Sequence, residues 1–310
     1  MIQYHHGVFI IRGDDMKINI KQQLLLMMAS YSYQDCWNYL QCYRSHPDGL
    51  KEIEKSTFEK ILFALHKEGF LKTYNPLEVI PHRVLIDWSL KSIMIGETMY
   101  PEAWYHIPQP PIIIFYQGDL NLLLQPKVAI IGTRSISQYG REMSQQISQA
   151  IVQQGWVTVS GLAKGVDTIV HETSLKSRSQ STIAIIPNGM HVAYPKVNHQ
   201  LQKNISQQGL LLSEFLPQTP VRKFQFIMRN RLVAGLCPVT IIIEAAHKSG
   251  SLITANYALQ FNKEVIALPG PIHSSTSKGC NELIYHGARP IYTIDQLIED
   301  ISCIFSNQFI

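Results

Sequence analysis

The sequence predicts an α/β chain: a doubly wound, Rossmann-like sheet, mostly parallel, preceded by a small all-helical domain. Three observations carry this. From residue 128 onward, short apolar runs alternate with helix-like stretches; those runs are apolar at every position; and the first hundred residues read as short helices. A strand that is apolar throughout is covered on both faces, as in a parallel sheet packed between helices. The chain has 310 residues, 45% hydrophobic and 16% charged, too apolar for disorder and long enough for one or two domains with real cores. No apolar run reaches the roughly 18 residues of a membrane span. The first fifteen residues hold a four-residue apolar stretch followed by acidic residues, which is not a secretion signal. The expectation is a cytoplasmic protein with no membrane partner. Five cysteines, an odd number without a C-x-x-C pair, argue for reduced buried thiols and against a disulfide framework or metal site. Cys280, between Gly279 and Asn281, lacks an identifiable His or acid partner for nucleophilic work.

Taken in order, residues 20–29 form an apolar block, residues 33–43 place Trp37, Leu40 and Tyr43 on one face, and Phe58, Ile61, Leu62 and Leu65 follow helical spacing to a stop at Gly69. Prolines at 101, 108, 110, 111 and 126 surround one strand-like run at 112–116, the junction between a helical domain and a larger one. Strands follow at 128–132, 156–160, 182–186, 210–215, 239–244, 265–268 and 290–293. Helices are expected at 142–154 (Met143, Ile147, Ala150 and Ile151 inward, closed by Gly155), 167–177, 197–207, around Asn230 and at 252–261, then a turn at 281–285 and a last helix from Asp295.

The net charge of +4 conceals an asymmetry. Residues 127–298 hold 16 Lys+Arg against 8 Asp+Glu, a net of +8, and the remainder holds 11 against 15, a net of −4. Ligands of an open parallel sheet bind outside the carboxyl ends of the strands. The residues there are Gly132-Thr133-Arg134, the run from Ser160 to Gly165 with Lys164, Pro187-Asn188-Gly189, Ser213-Glu214, Glu244 leading to Lys248-Ser249-Gly250-Ser251, and Pro269-Gly270. Small, hydroxylated and basic residues of this kind admit phosphate oxygens to backbone N–H groups and cations. A dinucleotide fold would need G-x-G-x-x-G and a following acid, but the first turn reads G-T-R-S-I-S. The densest signal is residues 222–231, where Arg222, Lys223, Arg229 and Arg231 interleave with Phe224 and Phe226. Cations for phosphates with rings for unstacked bases suit a single strand; the alternative is a solvated helix start with both rings in the core. Asp167 and His171, four apart, read as a helix-start residue and its packing neighbour rather than an acid/base pair.

At these residues the sequence resembles the DNA-processing protein A (DprA/Smf) family over roughly residues 95 to 300. The blocks that carry the likeness include VAIIGTR, SGLAKGVDTIVHETSL, KFQFIMRNRLVAGL, SGSLITA, VIALPGP and GCNELIYHGA, in order. The resemblance implies an extended Rossmann-like domain at 96–300 that binds single-stranded DNA, protects it during natural transformation, and hands it to the RecA recombinase, acting as a homodimer and not as an enzyme, without a cofactor. By motif, Arg134, Lys164, Lys223, Phe224, Arg229, Asn230 and Arg231 would line the strand, with Ser249 and Ser251 near its phosphates; Ser160 and Lys248 join them from the strand-end reading. The helical region at 1–95 fits the sterile-alpha-motif-like domain of some members, residues 301–310 read as a tail without the winged-helix domain that others add, and residues 1–15 read as an extension upstream of Met16.

Two departures stand out: Ile227 where the family has proline, and Pro187-Asn188-Gly189-Met190-His191 where it has a carboxylate-bearing turn. A different class of function is nucleotide N-glycosidic hydrolysis on a related fold. Here residues 250–255 lack the glutamate it needs, leaving Glu214 and Glu244 as candidates.

Overall fold

The computed structural model describes residues 17–45 and 52–307, and the chain separates into two compact units, Met1–Met94 and Ile95–Ile310. The stretch before Met16 lies outside the described residues.

The first unit contains β1 (Lys17–Asn19), α1 (Ile20–Ser30), α2 (Tyr33–Ser45), β2 (Glu52–Glu54), α3 (Lys55–Lys67), α4 (His82–Leu90) and β3 (Ser92–Met94). Helix α1 starts at a reciprocal cap: Gln22 N donates to the Asn19 side chain and Asn19 N donates to the Gln22 side chain, both at 3.0 Å. It buries Leu24, Leu25, Leu26 and Met27, and the same unit also buries Cys36, Tyr39 and Leu40 of α2, Phe58, Leu62 and Leu65 of α3, and Leu85 and Trp88 of α4. Gly69 does stop the chain after α3, with φ +81. The inward face of α2 is one residue out of phase with the expected Trp37–Leu40–Tyr43, because Tyr39 goes inside and its hydroxyl finds a buried partner in Gln23 Oε1. The unit is not purely helical: β1 and β2 pair antiparallel, Lys17 opposite Glu54. Three-residue strands are too short to announce themselves by periodicity.

The second unit contains β4 (Ile113–Gly118), β5 (Lys127–Ile131), α5 (Gln138–Gln153), β6 (Val157–Ser160), α6 (Val166–Ser177), β7 (Thr182–Ile186), α7 (His199–Gln208), β8 (Leu210–Ser213), α8 (Lys223–Leu236), β9 (Val239–Ile242), α9 (Gly250–Gln260), β10 (Glu264–Ala267), α10 (Lys278–Tyr285), β11 (Arg289–Pro290) and α11 (Ile294–Asn307). Its strands lie in the order β11-β10-β9-β5-β6-β7-β8-β4. All these pairs are parallel except β4 with β8. Strands β5, β6, β7, β8 and β9 are buried at nearly every position, as the continuous apolar runs foretold. Strand β5 has β6 on one side and β9 on the other, so its carboxyl end is the switch point where such folds open a crevice.

Trp104, in the proline-rich junction, is fully buried and donates from Nε1 to Leu232 O at 3.0 Å, tying the entry of this unit to α8. Residues 301–307 are not a tail. They continue α11, with Ile301 in the core beside Val128 and Ile147, Ile304 and Phe305 packed against it, and the Phe305 ring edge-on to Trp156 at 5.0 Å. No helix among the described residues is long and apolar enough to cross a membrane.

Candidate functional site

At the switch point the ends of β5 and β6 and the opening turns of α8 and α9 enclose a crevice of about 400 Å³. Its floor is built around Arg229, 6% exposed. One guanidinium nitrogen, Nη1, donates to Ile185 O at 2.7 Å and to Gly161 O, and Nε donates to Asn230 Oδ1 at 3.1 Å. A single cation thus holds the ends of β6 and β7 and orients Asn230. Asp167, at the start of α6, accepts from Gly161 N at 3.1 Å and Ala163 N at 3.2 Å, so both sides of the 161–165 loop are held by charge-assisted bonds. Burial pushes the Asp167 carboxyl up, opposed by the charge of Arg229; burial also pulls Arg229 down to about 10, opposed by Asp167. The sequence allows this close packing because residue 161 is glycine: a Cβ there would fall on the Arg229 guanidinium. Gly165, at φ +79 with its missing Cβ aimed at Thr133 O, lets the loop re-enter α6.

The mouth is different in character. The Arg134 guanidinium sits 5.2 Å over the Phe226 ring, a cation–π contact, and Phe226 leans edge-on against Tyr194 at 5.6 Å. Opposite, Ser249 stands at the N-terminal end of α9 without a side-chain cap bond, its hydroxyl meeting that of Ser251 in the first turn at 2.8 Å. The first N–H groups of α9 and its positive dipole end therefore face the same crevice as Arg134.

Of the residues expected from sequence, Arg134, Asn230, Ser249 and Ser251 line the crevice and Arg229 forms its floor. Lys164, Lys223 and Phe224 are exposed outside its lining, and Lys248, in left-handed backbone at φ 60, borders a neighbouring hollow with Ser249 and Ile253. Two expectations are corrected. Ser160 is a fully buried strand residue whose hydroxyl donates to Ile130 O at 2.7 Å. Arg231, 5% exposed, pairs with Glu214 through both carboxylate oxygens, Oε2 at 2.6 Å. Arg229 and Arg231 are two apart on one helix, about 200° around its axis, and cannot both face one crevice. The same rotation separates Phe224 from Phe226, and it is Phe226, absent from the expected lining, that enters the site. Phe226, Asn230 and Val233 share one helical face; that phase was readable once the stretch was taken as helix.

The residues considered for chemistry have structural partners. Glu244 accepts from Ser137 N at 2.9 Å, Ser137 Oγ at 2.6 Å and Thr276 Oγ1 at 2.8 Å, fastening the start of α5. Glu214 is taken by Arg231. His171 is fully buried, meets Thr182 Oγ1 through Nδ1 at 2.7 Å, and is pulled by burial down to about 3; it forms no pair with Asp167. The Cys280 thiol, fully buried, is pushed up to about 12, the reverse of an activated nucleophile. Among the described residues no three His, Cys, Asp or Glu side chains cluster to hold a metal.

The sequence profile of DNA recombination-mediator protein A matches residues 91–302. The chain belongs to this family. Among its recombination-mediator relatives, the DNA processing protein DprA of Bacillus subtilis is 37% identical over 213 residues, 68% of this chain and 71% of that one. The Streptococcus pneumoniae protein is 42% identical over 198 residues, 64% and 70% of the two chains. Among solved structures, DNA processing protein A of S. pneumoniae aligns over 92% of this chain and 98% of its own with TM-score 0.76 and 33% identity. The Helicobacter pylori protein, described for its single-stranded DNA binding mode, aligns over 70% and 97% with TM-score 0.63 and 34% identity.

Proposed function

We propose that this chain binds single-stranded DNA at the crevice of its sheet unit without regard to sequence, protects incoming strands during natural transformation, and delivers them to a RecA-class recombinase. It does so in the cytoplasm as a homodimer, by binding rather than catalysis. The observation that carries this reading is the placement of Arg134 over Phe226 opposite the open start of α9. A cation, an aromatic ring and the N-terminal end of a helix converge within one crevice, the set that meets a phosphate and an unstacked base together. The likeness to the H. pylori protein supports it. Nothing in such a set reads base edges, so the binding is sequence-tolerant.

The decisive experiment is a mobility-shift titration of labelled single strand and duplex at two salt concentrations, with wild type and Arg134→Ala. With Arg134, Lys164, Lys223 and Lys248 as phosphate contacts, log affinity falls with log salt at a slope of about −3, from roughly 0.7 per contact. Arg134→Ala weakens binding to all sequences alike and flattens the slope by about 0.7. No preference for single strands, or a slope near zero, overturns the proposal. Nucleation of recombinase filaments on strands precoated with a single-strand-binding protein tests delivery, and light scattering tests the homodimer.

A further inference from the structure

Helix α3 turns Phe58, Leu62 and Leu65 into the core of the first unit, yet its other side carries a second set of rings. Phe63 is 47% exposed, Phe70, just beyond the helix, 53%, and Tyr74 40%. Exposed aromatic groupings of this kind mark binding surfaces. Phe63 and Tyr74 meet edge to face, centroids 5.4 Å apart and planes at 84°, so neither ring stacks flat on the other. His66, which meets Leu71 O through Nδ1 at 3.2 Å, lies against Tyr74 at 6.3 Å between ring centroids. The Lys67 ammonium stands 5.4 Å from the Phe63 centroid. Lys60, one helical turn before Phe63, and Lys72, two residues before Tyr74, add further exposed cations. Residues 55–74 hold Lys55, Lys60, Lys67 and Lys72 against Glu59 and Glu68.

We infer that this face of the first unit is a second contact surface for single-stranded nucleic acid, with Phe63 and Tyr74 as stacking rings and Lys60 and Lys67 as phosphate contacts. Two properties select that occupant over a protein. Lysine is depleted from the cores of protein–protein interfaces, whereas here it surrounds and touches the rings. Rings interleaved with flexible cations are the arrangement that tracks a backbone while accepting any base face. The inference rests on single-strand binding by the sheet unit, which brings a strand to this chain.

The test is a ladder of oligothymidylates of increasing length, titrated against the full chain as wild type, Phe63→Ala/Tyr74→Ala and Arg134→Ala. Short strands bind wild type and the double variant equally. Beyond a threshold length the wild type gains affinity and the double variant falls behind by about tenfold, the worth of one or two stacked bases. Lys67→Gln lowers the salt slope by about 0.7 for long strands only, a readout independent of ring packing. Photocrosslinking with 5-iodouracil strands labels Phe63 or Tyr74. If Arg134→Ala weakens every length while the ladder, the Lys67→Gln slope and the crosslinks all leave residues 60–74 untouched, the crevice stands and this surface is overturned; a surface made for a protein partner gives that same result. If Arg134→Ala changes nothing at any length, it is the crevice reading that fails.

Discussion

The pairing of Arg231 with Glu214 makes a prediction that separates a structural cation from a DNA-binding one. Both side chains are buried and the guanidinium donates to both carboxylate oxygens, but Arg231 Nε and Nη1 have no partner. Burial pushes the Glu214 carboxyl up and Arg231 opposes the shift. Arg231→Met alone strands a buried carboxylate, and breaking a buried pair from one side costs about 3–5 kcal/mol. Arg231→Met with Glu214→Leu removes both charges and the unpaired nitrogens, so its stability falls within about 1 kcal/mol of wild type or above it. Urea denaturation read by tryptophan fluorescence measures this, since Trp104 is bonded to Leu232, the residue after Arg231. In the same double variant, affinity for single strands stays within about twofold and the salt slope is unchanged. A stable double variant with about tenfold weaker binding and a slope flatter by about 0.7 refutes the reasoning, because it would mean that Arg231 reaches a phosphate.

Two further outcomes follow from the buried floor and the core. Gly161→Ala drives a methyl into the Arg229 guanidinium, which must release the carbonyls of Gly161 and Ile185; we expect a loss of about 2–4 kcal/mol and weaker single-strand binding, and an unchanged thermal midpoint would contradict the clamp. His171 is held neutral, its pKa pulled from 6.5 to about 3, so it costs nothing above pH 6.5 and opposes folding as the pH falls below that value, where the unfolded chain takes up a proton that the folded one refuses. Between pH 6.5 and 5 this amounts to about 2 kcal/mol, a slope that His171→Asn should abolish in denaturation curves taken across that range.

The sheet was readable because its strands are apolar at every position, and continuous burial leaves that mark in the sequence. Helix phase was harder. Residues 222–231 announce cations and rings, but their division between crevice and core depends on a rotation of 100° per residue, which sends Arg229 and Phe226 one way and Arg231 another. Ser160 looked like a strand-end ligand because the end of β6 is set by where its hydrogen bonds stop, which no side chain reports. The three-residue strands β1 and β2 and the continuation of α11 past residue 301 were missed for a related reason: each depends on a tertiary partner, β2 for β1 and Trp156 for Phe305.

Strand β11 is only two residues long, exposed at both, and ends in Pro290, which has no N–H to offer. A flank of this kind gives an incoming strand almost no ladder to extend. Copies of the chain meeting at this side of the sheet would have to recognise each other through side chains rather than through shared backbone. Such recognition can be strengthened or abolished by single substitutions, and it does not propagate into the open-ended stacking that an unguarded sheet margin invites.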